Sequence, residues 1–196
     1  IPVGPKIAIT RLTRPWCQDA RMNLDRARVL LTGATGGLGE AIALRLAADG
    51  ARLVLCGRRE QALAALAGRL GPAHETLVCD LESRDAVAAL PERAGAIDVF
   101  VANAAVPASG PATEYTVQQL DRALDVNLRA PIALALALAP AMCARGRGHI
   151  VLMSSLSGKS GQAGTAIYSA TKFGLRGFGQ GLRGDLRPSG VGVSVV

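Results

Sequence analysis

In the stretch IYSATKFGL, Ile167 to Leu175, a tyrosine and a lysine stand four residues apart. On a helix that spacing places Tyr168 and Lys172 on one face, so a phenol and an ammonium project into the same space. The lysine is a chemical choice, because the chain holds nineteen arginines against three lysines. An ammonium favours the ionised form of a neighbouring phenol, a group with an unperturbed pKa near ~10, and the pair becomes an acid and base usable near neutral pH. Thirteen residues before Tyr168, Ser155 closes the apolar run IVLMSS and adds a hydroxyl donor. A serine, a tyrosine and a bound nicotinamide together suit one reaction, the interconversion of an alcohol and a carbonyl compound. In it hydride moves at carbon while a proton moves at oxygen.

A second constellation supports the nicotinamide. Directly after the apolar run RVLL comes TGATGGLG, with Gly33, Gly37 and Gly39 in the spacing GxxxGxG. One glycine permits a tight turn, a second lets backbone approach a pyrophosphate, and a third lets helix and strand pack closely. The helix N-terminus then presents free N–H groups to the anion. At the end of the second apolar run, folds that bind NAD carry an acid for the ribose 2'-hydroxyl, whereas an arginine accommodates the extra phosphate of NADP. Here the turn reads CGRRE, with Gly57 where the acid would stand, followed by Arg58 and Arg59. NADP(H) is therefore expected over NAD(H). The sequence GKS at Gly158 to Ser160 is not a P-loop, which requires glycine where Met153 stands.

These groups need elements to hold them. The apolar runs RVLLTGA, RLVLC, TLVC, IDVFVANAA, GHIVLMSS and VGVSVV alternate with helical segments. The first helix places Leu38, Ile42 and Leu46 on one apolar face and ends near Gly50; later helices start near Thr116 and Ile167. Strands separated by helices predict the α/β class, a Rossmann-type doubly wound parallel sheet with helices on both faces. Ligands bind beyond the carboxyl ends of such strands, where every unusual residue named above falls. A chain that is 49% hydrophobic but only 3% aromatic suits a core of Ala-, Val- and Leu-built helices laid on a buried sheet.

With these motifs in one order, the chain from about Arg28 to Val196 resembles the classical short-chain dehydrogenase/reductase family. TGATGGLG matches the family's TGxxxGxG turn, Asp80 and Leu81 its adenine contact, ANAA its NNAG segment, DVNL its helical asparagine and SSx(12)YxxxK its active site. The resemblance implies that Tyr168 gives or takes the proton and that Lys172 modifies its acidity and binds ribose. It implies that Ser155, chosen over Ser154 and Ser157 by its spacing to the tyrosine, orients the substrate carbonyl, and that Asn127 holds the water of a proton relay. The implied cofactor contacts are Gly33, Thr35, Gly37, Leu38, Gly39, Arg58, Arg59, Asp80, Leu81, Asn103 and Ala104, beside Tyr168 and Lys172. The chain departs from the pattern at Ala102 and Ala105 of ANAA, and at Gly36, where many NADP-preferring members carry a basic side chain. After VGVSVV the family continues with a nicotinamide-contacting turn, a substrate lid and a last strand. The expectation is a native chain that runs past Val196, with the C-terminal part missing here.

The rest of the sequence bounds partners and organisation. Residues 1 to 27 read as an N-terminal extension outside the core, with Met22 a candidate natural start; residues 28 to 196 form one dinucleotide-binding domain carrying the active site. The net charge of +7 is spread thinly and aromatics are scarce, so no nucleic-acid partner is expected. The uncharged run Ala130 to Ala144 has 15 residues, short of the ~20 of a spanning helix, and reads as a buried or interface helix. It predicts a homodimer or homotetramer and no membrane partner. Cys17, Cys56, Cys79 and Cys143 are far apart, with no CxxC pair and no adjoining histidine, which predicts reduced thiols, no metal and a cytoplasmic protein. His74 and His149 read as structural or surface residues. The competing reading is a non-catalytic nucleotide-binding or scaffold protein that retains the fold.

Overall fold

The computed structural model describes residues 24–196; residues 1–23, with Cys17, Met22 and most of the expected extension, lie outside the described residues. Six strands form one parallel sheet: β1 (Arg28–Thr32), β2 (Arg52–Gly57), β3 (Glu75–Val78), β4 (Val99–Ala102), β5 (Gly148–Leu152) and β6 (Val191–Val195). Their order is β3-β2-β1-β4-β5-β6, the doubly wound arrangement expected from the alternation of apolar runs and helices. Alternate side chains of each strand go to opposite faces. Leu30, Val54, Phe100 and Ile150 point into one core, and Val29, Leu31, Leu53, Leu55 and Val101 into the other.

The two faces are covered by different helices. Helices α1 (Gly37–Ala48) and α2 (Glu60–Leu70) cover one through Ala43, Leu63 and Leu66. Helices α3 (Arg84–Ala94), α4 (Val117–Leu124), α5 (Ala130–Ala144) and α6 (Ala166–Leu186) cover the other through residues such as Leu90, Leu134, Leu138, Met142 and Leu175. Strands β5 and β6 bury one side except at Val195, which is half-buried, as are His149, Val151, Gly192 and Ser194 on the other side. Each fully buried Leu or Phe contributes about 1.5 to 3 kcal/mol relative to exposure.

Two expectations are refined by packing. Of the apolar face expected on α1, Ile42 and Leu46 are partly buried against the core, whereas Leu38 is 59% exposed. The fully buried positions are the small residues Gly39 and Ala43, where the helix lies nearest the sheet. The end of the expected extension also joins the sheet: Leu24 packs against the α1/α2 core, Arg26 N–H donates to Gly50 O at 2.9 Å, and Arg52 N–H donates to Ala27 O at 2.9 Å.

Helices α4 and α5 are one continuous helix, Val117–Ala144, joined by a π-helical turn at Asp125–Arg129. By length and composition this helix could cross a membrane, yet half of its most apolar window is buried inside the protein. A capping box fixes its start: Gln119 N–H donates to Thr116 Oγ1 (3.2 Å) while Thr116 N–H donates to Gln119 Oε1 (2.9 Å).

A methyl group added at Gly39 would overlap the carbonyl oxygen of Gly33 and sit 3.0 Å from Ala34 Cα. Gly39→Ala is therefore expected to cost about 1 to 3 kcal/mol, a fall in melting temperature of roughly 3 to 10 °C. Thermal unfolding checks this, and an unchanged melting temperature would show that the turn opens freely.

Candidate active site

The site begins where β1 and β4 part. Gly33 leaves β1 with a φ of +66°, and a Cβ there would lie 2.7 Å from Ala104 Cα, so the two strand ends meet backbone to backbone. Thr32 Oγ1 accepts from the N–H groups of Asn103 (3.2 Å) and Ala104 (3.3 Å). The Asn103 amide donates to Thr32 O (3.1 Å) and Gly33 O (3.2 Å). These bonds hold the glycine turn against the segment after β4.

Beyond this junction, at the point where the strand order reverses, lies a cavity of about 500 Å³. It is lined from one end by Arg58, Arg59, Asp80 and Leu81, and along its length by Gly33, Thr35, Gly37, Leu38 and Gly39. At the other end stand Asn103, Ala104, Tyr168 and Lys172. Every cofactor contact expected from the sequence thus faces one space. A Cβ added at Gly37 would meet no protein atom within 4 Å, so that glycine is not required by packing and its open side is the cavity itself. Helix α1 starts at this point with Gly36 as N-cap and no side-chain cap, which leaves its N-terminal N–H groups free for an anion. A dinucleotide pyrophosphate fits that cradle.

Arg59 precedes α2 as its N-cap and donates from Nη2 to Thr35 O at 3.0 Å, bracing the glycine turn. Arg58 reaches Glu82 Oε1 at 3.3 Å. The last residue of β2 is Gly57, so no carboxylate stands at the strand end itself. Among the described residues Cys56, Cys79 and Cys143 are free thiols, and His74 and His149 serve the fold: Leu53 N–H donates to His74 Nδ1 at 3.1 Å, and His149 Nε2 lies 2.9 Å from Ser194 Oγ.

Tyr168 and Lys172 lie in the first two turns of α6, on the face that meets the cavity. Tyr168 is half-buried, whereas Lys172 is only 2% exposed and still carries an ionisable amine. Its Nζ stands 5.5 Å from the tyrosine ring centroid and donates to Met153 O at 2.8 Å, which leaves two of its three donor positions. Burial pushes its pKa down from 10.5 to about 8.

Ser154 and Ser155 are distinguished by their partners. Ser154 lines the cavity, but its hydroxyl donates to Lys172 O at 3.1 Å and is engaged in tying the strand end to α6. Ser155 accepts from Ser157 N–H at 3.1 Å, capping the short turn Leu156–Gly158, and its own proton remains free to donate. It is not among the residues that line the cavity. Asn127 is also outside that lining; it is 1% exposed, within the π-helical turn. Its Oδ1 accepts from Val106 N–H (2.7 Å) and its Nδ2 donates to Val106 O (2.9 Å), so the side chain clamps the segment after β4 to the helix.

Sequence reasoning did not single out Thr32, Ser154, Val106 or Glu82. A threonine ending the first strand was a visible signal for a turn brace. The backbone partner Val106 carries none, because its part is played by main-chain atoms.

Comparison with known proteins agrees with this geometry. Residues 27–196 match the family model described as short chain dehydrogenase. An NADP-dependent 3-hydroxy acid dehydrogenase from Salmonella typhi is 37% identical over 171 residues, covering 85% of this chain and 69% of that one. A metagenomic short-chain oxidoreductase solved in complex with NADP superposes with a TM-score of 0.82 at 39% identity, covering 88% of this chain and 82% of that one. A short-chain dehydrogenase from Sphingobium yanoikuyae in complex with NADPH has a TM-score of 0.81 at 35% identity, with 87% and 71% covered. The chain thus spans from 69% to 82% of the length of these relatives.

The lysine yields a pH test. Between about 8 and 10.5 the unfolded chain binds a proton that folded Lys172 has released, so the stability of the ligand-free protein rises with pH across that window. The rise is expected to reach about 3 kcal/mol. Urea unfolding at about pH 7.5 and about pH 10 should show this gain in the wild type and lose it in Lys172→Met. Parallel profiles for the two proteins would place the amine in water.

Proposed function

The chain belongs to the short-chain dehydrogenase family, and from that premise we propose that it is an NADP(H)-dependent oxidoreductase interconverting a carbonyl compound and its alcohol. The observation that carries the reading is one cavity that joins the glycine cradle to a tyrosine and a buried lysine. The preference for NADP(H) over NAD(H) is supported by Arg58 and Arg59 on the cavity wall, and by Gly57 in place of an acid.

When bound, the cofactor's nicotinamide supplies or accepts the hydride. The N-terminus of α1 with Gly37 would hold its pyrophosphate, Asp80 and Leu81 its adenine, and Asn103 and Ala104 its nicotinamide half. Tyr168 moves the proton at the substrate oxygen. Lys172 stabilises negative charge developing on the phenol, and its two remaining donor positions suit ribose hydroxyls. Because its pKa is held near about 8, it also releases a proton readily, which a guanidinium never does. Ser155, whose proton is not engaged, donates to the substrate oxygen and orients it.

Asn127 is proposed to hold the water of a proton relay. Both ends of its amide are bound to Val106, so a relay water would rest on its main-chain carbonyl. The π-helical turn displaces the carbonyls of this stretch from the regular i+4 ladder. The protein is further proposed to be a cytoplasmic homodimer or homotetramer acting on a small molecule, without nucleic-acid or membrane partners. Val117 and Leu136, exposed by 67% and 54% on the continuous helix, support association through that face.

The test is oxidation of NADPH with a panel of ketones and aldehydes. Tyr168→Phe is expected to lower kcat at least about 100-fold while the NADPH Kd changes less than about threefold. Lys172→Arg should fail as well, since the longer, permanently charged group neither fits the buried site nor passes a proton. Near wild-type turnover in either variant would overturn the assignment, and tight NADPH binding without turnover in the wild type would leave a nucleotide-binding protein.

A further inference from the structure

Across the cavity end formed by β2 and β3 runs a charged bridge that the mechanism does not use. Glu82 follows the proposed adenine contacts Asp80 and Leu81, and its backbone N–H donates to Asp80 Oδ1 at 3.1 Å, which fixes the turn. Its Oε1 receives Arg122 Nε of α4 at 2.7 Å and Arg58 Nη1 at 3.3 Å. Glu82 and Arg58 both line the cavity.

The two contacts are unequal. The short bond to Arg122 and the backbone bond to Asp80 hold Glu82 in place, whereas Arg58, 54% exposed along its side chain, makes the longer contact. Arg58 directly follows β2, where a 2'-phosphate is recognised. A phosphate arriving there would compete with a carboxylate for Arg58, and if it drew Arg58 away the carboxylate would remain as a fixed negative charge beside it. Two anions a few ångströms apart repel, and at a surface partly open to water this repulsion is reduced but not abolished. A ribose bearing only its hydroxyl leaves the bridge intact and can donate to the same carboxylate.

We propose that Glu82 is a specificity-determining residue: its carboxylate restrains the preference for NADP(H) over NAD(H), and Arg122 is the positioning residue that keeps it there. The proposal rests on the reading that this cavity takes a nicotinamide dinucleotide with Arg58 at the 2' position. It adds a determinant outside the turn after β2.

Direct binding titrations of NADP+ and NAD+ by calorimetry test it, without reference to turnover. Glu82→Gln is expected to tighten NADP+ about 5- to 20-fold at low salt, to shift NAD+ less than about twofold, and to lose most of the gain at high salt. Glu82→Ala should move NADP+ in the same direction, and melting temperatures of both variants check folding. Equal shifts for the two dinucleotides, or weaker NADP+ binding in the variants, would overturn the proposal and make Glu82 a brace for Arg58. A wild type that binds both dinucleotides, with a ratio unmoved by either substitution, overturns this inference alone. A wild type that binds neither overturns it together with the proposed function.

Discussion

The structure depends on one close approach of backbone to backbone, where β1 and β4 diverge. Gly33 lies against Ala104 with no room for a side chain, and Gly39 lies against Gly33 from the helix side. Because three segments converge on so small a volume, α1 must start directly above the strand ends, with its uncapped N-terminus facing the cavity. Thr32 and Asn103 supply the side-chain hydrogen bonds that fix the approach. The shape of the cradle is set by these close approaches and hydrogen bonds.

The same geometry explains how a charge is kept in the interior. Lys172 comes from α6, which is drawn onto the strand end by Ser154 and by the close packing of Gly158, whose missing side chain leaves room for the carbonyl of Lys172. Met153 O, at the end of β5, then receives the ammonium. One hydrogen bond does not compensate for full burial of a cation, which is why its pKa falls. The core around it, built from Ala, Val and Leu, supplies no charge to offset that loss.

Much of the fold was legible because its signals are local. Apolar runs of RVLLT or VFVA type report strands buried on both faces, and the turn TGATGGLG reports a crevice that exists for backbone reasons alone. The spacing of Tyr168 and Lys172 was legible for the same reason, since helical periodicity decides which side chains share a face. Leu38 misled because hydrophobic spacing marks a face without saying how near the sheet lies; the glycine and alanine on that helix carried the distance. The engagement of Asn127 with Val106 was not legible, because a main-chain partner 21 residues away leaves no trace in residue type. Nor was the π-helical turn visible, for one extra residue in a helix disturbs a hydrophobic period no more than ordinary variation does.

That turn links the two halves of the site. A regular α-helix from Val117 to Ala144 would carry Asn127 at a different angle relative to the segment after β4. With one wide turn inserted, the buried amide meets Val106 through both of its ends, a pairing that imitates a strand partner and leaves neither group unsatisfied. The segment it holds begins with Asn103, the residue that braces the glycine turn. Asn127 is thus tied to the cradle through Val106 and Asn103, with only two residues, Ala104 and Ala105, between them. Helix α4 also carries Arg122, which holds Glu82 at the far end of the cavity. A single helix thus contacts both ends of the site, through Arg122 at one and Asn127 at the other.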